Sequence, residues 1–213
     1  MCRVLTSFCS RNNPTFHGAL WLVSALLLLI TGCSKQIDIT KVPTLSDDGY
    51  LNSIIEIPAG TNLKIEYDKT TGKFIPDQRN GVDRVIDYLP YPANYGFIAS
   101  TSSDLKEGGD GDALDVLVLS SSIPTGSVIE TTPIGVLKLI DEGERDFKIL
   151  AIPARPGDRT IQAETLDELM TKYPQLLEIV ESWFLNYDQD VTLSRGWGDR
   201  QEAIEIIDQS VID

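Results

Sequence analysis

The sequence predicts an α+β domain in which a closed β-barrel is followed by C-terminal helices. Short apolar segments separated by turn residues fill the middle of the chain, from about residue 54 to residue 152. This spacing is typical of small barrels. Helical periodicity appears only after residue 165. Strands followed by helices indicate an α+β fold in which the helices pack on the barrel.

The N-terminal residues 1–33 resemble a bacterial lipoprotein signal peptide. Arg3 and Arg11 form a basic region, residues 19–30 form an apolar core, and Cys33 follows the sequence Leu-Ile-Thr-Gly. The alternative is an uncleaved membrane anchor, but the apolar core is shorter than the ~20 residues that span a bilayer. We therefore expect lipidation at Cys33 and a location in the cell envelope outside the cytoplasm. In a diderm cell, this would be the periplasmic face of the outer membrane.

Removal of this leader would leave a strongly acidic chain. The full sequence has 18 basic and 32 acidic residues, and without Arg3 and Arg11 the balance is 16 against 32, a net charge of −16. That sign disfavours binding of nucleic acid through a general basic surface. The only histidine, His17, lies in the leader. Histidine-dependent catalytic triads and histidine-based zinc sites are therefore excluded from the remainder.

The strand pattern begins after a polar stretch. Residues 34–52 are expected to form a tether, and residues 53–213 the folded domain. Residues 54–58 predict the first strand, and residues 63–67 alternate apolar and charged side chains, which is typical of a strand with one face in solvent. A turn then leads to a return strand at residues 73–76.

The segment that follows is less regular. Residues 77–83 are polar and contain Asn-Gly, which predicts a loop, and residues 84–98 combine tyrosines with prolines, which indicates an irregular packed segment. Further extended segments are expected at residues 116–119, 128–131, 134–140 and 147–152.

Two C-terminal helices are predicted. Thr165 and Glu168 form a capping box, and apolar residues then recur at helical spacing. Pro174 should interrupt this pattern, leaving residues 175–187 as the long piece. Residues 199–211 predict the last helix, which begins with another acidic capping pattern.

Two acidic clusters are the candidates for chemistry. Asp110, Asp112 and Asp115 directly precede an apolar strand, and residues 141–146 lie between two apolar segments. Neighbouring carboxylates repel each other unless a cation lies between them, and hard divalent cations prefer such oxygen ligands. The first cluster is not an EF-hand, because the twelfth residue counted from Asp110 is Ser121. For each cluster alone, a solvated acidic turn is the alternative.

Taken in order, these segments resemble the soluble family I inorganic pyrophosphatases over roughly residues 53–210. The resemblance implies a five-stranded OB-like barrel with additional short strands. It also implies hydrolysis of pyrophosphate to two orthophosphates by a metal-activated water. The motifs that carry it are Ile55-Glu56-Ile57-Pro58, Lys64-x-Glu66, Tyr91-Pro92-x-Asn94-Tyr95-Gly96, Asp110-Gly111-Asp112-x-x-Asp115-Val116 and Asp141-Glu142-Gly143-Glu144-x-Asp146-x-Lys148.

The resemblance also assigns roles to individual residues. Asp112 would accept the proton of the attacking water, and Glu56 would support the site. Several Mg²⁺ ions, with Mn²⁺ as a substitute, would be held by Asp110, Asp115, Asp141, Asp146 and Glu66. The phosphates would be held by Lys64, Arg84, Tyr95, Lys148 and Tyr187.

Other functions stay open at this point. One is a pyrophosphatase-like lipoprotein that binds metal or phosphate without turnover, and another is a phosphohydrolase of nucleotides or polyphosphate. The resemblance is also compatible with a homo-oligomer.

The chain departs from the family pattern near the phosphate-binding residues. The family's Tyr-Lys pair reads Tyr187-Asp188, so an anion replaces a cation. Extra residues occur around 77–82, and Arg84 rather than Arg79 fits the family arginine because of Asp83-Arg84-Val85. We expect weaker pyrophosphate binding than in relatives, and Arg195 is a candidate for the missing charge.

Overall fold

The computed structural model describes residues 37–103, 108–188 and 192–212. Cys33 and the predicted leader lie outside the described residues. A compact unit begins at Asp38. None of the helices in the described ranges has the length and apolar character needed to cross a membrane.

The described unit consists of ten strands and three α-helices. The helices are α1 (Leu166–Lys172), α2 (Leu176–Phe184) and α3 (Arg200–Ser210). The strands are β1 (Leu51–Ile57), β2 (Ile65–Asp68), β3 (Lys73–Pro76), β4 (Gln78–Arg79), β5 (Val82–Asp83), β6 (Asn94–Ile98), β7 (Asp115–Val118), β8 (Val128–Asp141), β9 (Glu144–Pro153) and β10 (Thr192–Gly198).

Five strands close into a barrel. Their order is β1-β6-β7-β9-β8, and β8 pairs back with β1. Only the β7–β9 pairing in this ring is parallel. The 14 residues of β8 allow its first half to pair with β1 and its second half with β10, while β9 pairs along its other edge. The predicted five-stranded barrel is confirmed.

One glycine is required where β1 and β6 approach each other. A Cβ atom on Gly96 would lie 1.9 Å from the carbonyl oxygen of Ile54 and 3.0 Å from the Cα of Ile55. Such distances are far below van der Waals contact, so only glycine allows this strand pairing.

Alternate residues of the barrel strands face two different apolar clusters, as the two-residue period of a strand requires. Leu117 and Leu150 belong to a buried cluster that includes residues of α1 and α2. Val116 and Ile149 belong to a second cluster that includes residues of α3. The helices therefore cover the barrel as the α+β prediction requires.

The number of helices differs from the predicted two. Pro174 divides the first predicted helix into α1 and α2, because proline cannot supply the backbone hydrogen bond of a helix interior. Helix α2 ends at Phe184, so Tyr187 follows the helix, although its N–H still donates to the carbonyl of Trp183 at 2.9 Å. Helix α3 begins as predicted, with Asp199 accepting from the N–H of Glu202 at 2.9 Å.

Several strands also differ from the sequence expectation. The predicted loop at 77–83 contains the hairpin β4–β5, whose turn residues Asn80 and Gly81 have φ values of 57° and 77°. Two successive positive φ values are typical of a type I′ hairpin turn. Strand β6 lies in the segment expected to be irregular, β10 was not predicted, and the two segments expected at 128–131 and 134–140 form the continuous strand β8.

The folded unit extends into the predicted tether, residues 34–52. Val42 is buried, and its carbonyl accepts a hydrogen bond of 2.9 Å from the hydroxyl of Ser100. The hydroxyl of Thr44 donates to the carbonyl of Ser100 at 3.1 Å. These contacts fix the segment from Asp38 onward against the barrel.

Candidate active site

The residues assigned roles by sequence line one cleft of about 1250 Å³. They come from six strands, from connections before or after these strands, and from the segment that follows α2. The twelve residues are Glu56, Lys64, Glu66, Arg84, Tyr95, Asp110, Asp112, Asp115, Asp141, Asp146, Lys148 and Tyr187.

Strand pairing brings the two acidic clusters together. Asp115 is the first residue of β7, and it lies opposite Lys148 in the parallel pairing with β9. Asp141 ends β8 and Asp146 lies near the start of β9, so the short turn between these strands places both at the same end of the barrel. Residues about thirty positions apart in sequence thus face one cleft.

The ammonium group of Lys148 lies between two carboxylates. It donates hydrogen bonds to Asp115 and Asp146. The hydroxyl of Tyr95 donates to the same oxygen of Asp115 at 2.6 Å. Burial alone would lower the pKa of Lys148, but the charges of Asp115 and Asp146 outweigh it and raise the pKa above the usual value. Lys148 therefore stays protonated.

Burial acts in the opposite sense on the acids and phenols nearby. It raises the pKa of Asp115 in spite of the Lys148 ammonium. Burial also raises the pKa of Tyr95, with a further contribution from the negative charge of Asp115. Tyr95 is therefore a neutral hydrogen-bond donor in the cleft.

Asp110 and Asp112 lie on a tight turn before β7. The N–H of Asp112 donates to Oδ1 of Asp110 at 2.8 Å, which fixes the turn. The side chain of Asp112 is 76% exposed and accepts a hydrogen bond of 3.1 Å from Nζ of Lys69. Sequence reasoning missed Lys69, because a lysine in the β2–β3 turn carries no signal of a loop 43 residues away.

Lys64 and Arg84 form the cationic side of the cleft. The N–H of Lys64 donates to the carbonyl of Arg84 at 2.9 Å, so their backbones are neighbours. Nζ of Lys64 is 2.5 Å from Glu66 and 3.6 Å from Asp77. Burial would raise the pKa of Asp77, but Lys64 and Arg84 outweigh it and lower the pKa. Asp77, which the sequence did not single out, therefore stays ionised beside two cations.

Asp188, at the position where the resemblance predicts a cation, contacts two arginines. Its carboxylate accepts from both terminal nitrogens of Arg79, at 3.0 Å each, and also from Arg84. Arg195, the sequence candidate for the missing charge, lies exposed on β10 and does not line the cleft. Its predicted role as the replacement cation is therefore not supported by its position.

Glu56 is a buried carboxyl group at the base of the cleft. One of its oxygens accepts a hydrogen bond of 2.7 Å from the N–H of Tyr67. Burial raises the pKa of Glu56 to about 8, and the nearby charges of Asp115 and Glu66 contribute to the increase. Glu56 is therefore protonated at neutral pH in this arrangement.

Aromatic packing holds Tyr187 at the cleft wall. Its ring stacks on Trp183, with centroids 4.5 Å apart and an interplanar angle of 8°. The indole N–H of Trp183 donates to the carbonyl of Leu89 at 2.8 Å. Because Trp183 is buried and anchored, the position of Tyr187 is fixed even though it lies beyond the end of α2.

The acidic side chains have the chemistry of a site for hard cations. Within the described residues, no three acidic groups converge on a single point that would suit one metal ion. Instead, the ammonium groups of Lys64, Lys69 and Lys148 each contact one or two of the carboxylates in the cleft. The donor atoms are carboxylate oxygens without histidine or cysteine, a set that fits Mg²⁺ or Mn²⁺ rather than zinc.

Comparison with known proteins identifies relatives of the chain. A family model described as inorganic pyrophosphatase matches residues 53–213. The inorganic pyrophosphatase of a Synechocystis species is 35% identical over 177 residues, which cover 82% of this chain and 97% of that protein. The inorganic pyrophosphatase of Neisseria meningitidis serogroup B is 36% identical over 170 residues, which cover 78% of this chain and 89% of that protein.

Solved structures show the same similarity. The crystal structure of an inorganic pyrophosphatase from Neisseria gonorrhoeae superposes with a TM-score of 0.65 at 33% sequence identity. The superposition covers 82% of this chain and 97% of that chain. The similarity therefore extends over the barrel, the helices and the cleft.

Proposed function

Because the chain belongs to the inorganic pyrophosphatase family and hydrolyses inorganic pyrophosphate, we propose that the reaction takes place in the cleft described above. The single observation that carries this proposal is the presence of both acidic clusters and the cations Lys64, Arg84 and Lys148 in one cleft. A highly anionic substrate needs cationic partners, and an activated water needs a proton acceptor. The cleft provides residues for both.

Family members use divalent metal ions, generally Mg²⁺, and we assign the ligands in this chain from the cleft. Several Mg²⁺ ions, with Mn²⁺ as a substitute, would be held by Asp110, Asp115, Asp141, Asp146 and Glu66. When bound, the ions would neutralise the charge of pyrophosphate and lower the pKa of the attacking water.

Asp112 would accept the proton from the attacking water. Its carboxylate is exposed to the cleft, and the hydrogen bond from its own N–H to Asp110 fixes the turn that carries it. Lys69 holds the carboxylate by a hydrogen bond to one oxygen, which leaves the second oxygen available. A carboxylate is sufficient as the acceptor once the water has been acidified.

The phosphate groups would be bound by Lys64, Arg84, Lys148, Tyr95 and Tyr187. Lys148 is protonated and Tyr95 is neutral. Both now donate to Asp115, and Lys148 also donates to Asp146. When metal ions bind these carboxylates, the N–H and O–H groups released would donate to phosphate oxygens. The buried, protonated Glu56 would support the site from below without adding negative charge.

The experiment that tests this proposal is phosphate release by the purified protein. Pyrophosphate with Mg²⁺ should yield two orthophosphates, and an excess of EDTA should stop the reaction. Competition between pyrophosphate and ATP or tripolyphosphate measures whether larger phosphoanhydrides enter the cleft. Binding of pyrophosphate without release of phosphate would favour the binding lipoprotein instead.

We also propose that the protein is a lipoprotein of the cell envelope, acylated at Cys33. The leader pattern supports this, and only residues 34–37 would separate Cys33 from the compact unit. A fatty-acid analogue should label the wild type and Cys9→Ser but not Cys33→Ser. Retention of the whole leader in the mature protein would contradict acylation.

A homo-oligomer, which the family resemblance allows, would be measured by light scattering.

A further inference from the structure

Arg79, Asp188 and Arg84 form a connected set of charges at the cationic side of the cleft. Arg79 donates from both terminal nitrogens to the two oxygens of Asp188, at 3.0 Å each. Arg84 donates to the same carboxylate and, at 3.3 Å, to Asp77. Arg84 lines the cleft, so Asp188 contacts a cleft residue on one side and Arg79 on the other.

The charges of this group depend on Arg79. Among the ion pairs of the described residues, Lys64, Arg79 and Arg84 bring three positive charges. Glu66, Asp77 and Asp188 bring three negative charges, so the six balance. Removal of Arg79 would leave this group with one negative charge in excess. Without Arg79, the carboxylates of Asp77 and Asp188 would both compete with phosphate for the Arg84 guanidinium, because hydrogen bonds between charged groups are the strongest that each can make.

The β4–β5 hairpin presents Arg79 from a fixed position. The N–H of Arg84 donates to the carbonyl of Asp77 at 2.7 Å, and the N–H of Asp77 donates to the carbonyl of Lys64 at 2.9 Å. The hairpin is thus fastened at its base to the backbone beside Lys64, and its Asn-Gly turn closes the other end. The bidentate contact then joins this hairpin to the residue following Tyr187.

We propose that Arg79 is a positioning residue for pyrophosphate binding, which neutralises Asp188 and thereby keeps Arg84 available to phosphate. The inference rests on the proposed function of the cleft. A guanidinium has five N–H donors, so Arg84 can keep its contacts with Asp77 and Asp188 and still donate to a phosphate oxygen. Because Arg79 acts through Arg84 on the bound phosphate, its removal should weaken substrate binding more than it slows the chemical step.

The test is the Michaelis constant of four variants in Mg²⁺. Arg79→Ala should raise KM for pyrophosphate roughly two- to fivefold, the upper part of the range for one partly exposed charge, with kcat changed less than KM. The difference should shrink in about 1 M KCl, where the Debye length is roughly 3 Å. Arg79→Lys should retain most of the affinity. Arg155→Ala, which removes an exposed arginine away from the cleft, is the matched control and should leave KM unchanged.

The double variant separates charge from packing. Arg79→Ala with Asp188→Asn restores the net charge of the group, so its KM should return close to the wild-type value. If the double variant instead has a higher KM than Arg79→Ala, then Asp188 acts by holding Arg84 in place, and the inference is overturned. A KM change below twofold in Arg79→Ala also overturns it.

Binding of methylenediphosphonate, which is not hydrolysed, gives a second readout by calorimetry. A wild type that binds this analogue but releases no phosphate from pyrophosphate would contradict the proposed function. The Arg79 variants would still test the effect of charge on binding of the analogue. Equal melting temperatures of Arg79→Ala and Arg155→Ala would show that the first variant is folded. An Arg79→Ala protein that is folded and binds the analogue as tightly as the wild type overturns the inference.

Discussion

Asp115 and Lys148 lie directly opposite each other in the parallel pairing of β7 with β9, and their side chains form an ion pair inside the cleft. The strand register that closes the barrel therefore also places an ammonium group beside a buried carboxylate. Asp146, two residues before Lys148 on the same face of β9, completes the contact. Fold and charge balance are thus coupled at this point.

Replacement of Lys148 by methionine should destabilise the protein without metal. The carboxylates of Asp115 and Asp146 would lose their shared partner while remaining largely buried, with side-chain exposures of 22% and 26%. We expect the free energy of unfolding in EDTA to fall by about 3 kcal/mol, the low end of the range for a broken buried ion pair. Addition of MgCl₂ should recover part of this loss, because a cation can replace the ammonium. Urea denaturation with and without MgCl₂ measures both effects.

Lys138→Met is the matched control, because Lys138 also pairs with an acid but lies outside the cleft. Lys138→Met should lower the free energy of unfolding by about 1 kcal/mol or less, as the loss of a partly exposed ion pair does. Addition of Mg²⁺ should not recover this loss. Equal losses of unfolding free energy in the two variants would contradict the charge balance described for Asp115 and Asp146. A Lys148→Met protein whose stability does not change with Mg²⁺ would also contradict it.

Glu56 should make the stability of the metal-free protein depend on pH. Burial raises its pKa to about 8 from an ordinary value of 4.5. Between these values the folded state binds a proton that the unfolded state has lost, so its contribution to stability is lost as pH rises. The slope is about 1.4 kcal/mol per pH unit. Glu56→Gln cannot titrate, so denaturation in EDTA at pH 5, 6, 7 and 8 should show a shallower decline for the variant. If the free energy of unfolding falls with pH equally in the wild type and in Glu56→Gln, Glu56 is not a buried, protonated group.

Gly96→Ala should disrupt the pairing of β1 with β6. A methyl group would lie 1.9 Å from the carbonyl oxygen of Ile54, and the backbone on both strands would have to move. We expect a loss of more than about 3 kcal/mol in the free energy of unfolding, or failure to fold. Gly157→Ala is the control, since no atom lies within 4 Å of the added methyl group. Similar melting temperatures for the two variants would show that β1 and β6 can move apart without loss of stability.

Much of the barrel could be predicted from sequence because the strands carry local patterns. The segment from Asp115 onward has an apolar strand directly after its acids, and the two acidic clusters flank neighbouring strands. Strand β10 was missed because its position is defined by pairing with β8 rather than by its own apolar pattern. The β4–β5 hairpin was read as a loop, because strands of two residues are too short to show alternation, although its Asn-Gly turn was visible.

The side-chain partners were less accessible to prediction than the site residues themselves. Lys69 reaches Asp112, and Arg79 reaches Asp188 across 109 positions of sequence. Such contacts depend on how separate turns meet in space, which no local pattern encodes. Asp188 could be recognised as a departure from the family, but its arginine partners could only be identified from the structure.

The role of Asp112 is the central assignment, and its variant should lose turnover while retaining the fold. Asp112→Asn keeps the size of the side chain but cannot accept a proton from water, so kcat should fall by roughly 10²- to 10⁴-fold. Because the side chain is exposed, the melting temperature should change little. Asp208→Asn, an exposed acid of α3 outside the cleft, is the matched control and should retain full activity.

Phosphate release from magnesium pyrophosphate by the wild type and by Asp112→Asn is therefore the most direct measurement. We expect two orthophosphates per pyrophosphate from the wild type, and at most about one hundredth of the wild-type rate from the variant. Wild-type turnover in Asp112→Asn, or no phosphate release by the wild type at any Mg²⁺ concentration, would contradict the assignment of Asp112 as the proton acceptor in this cleft.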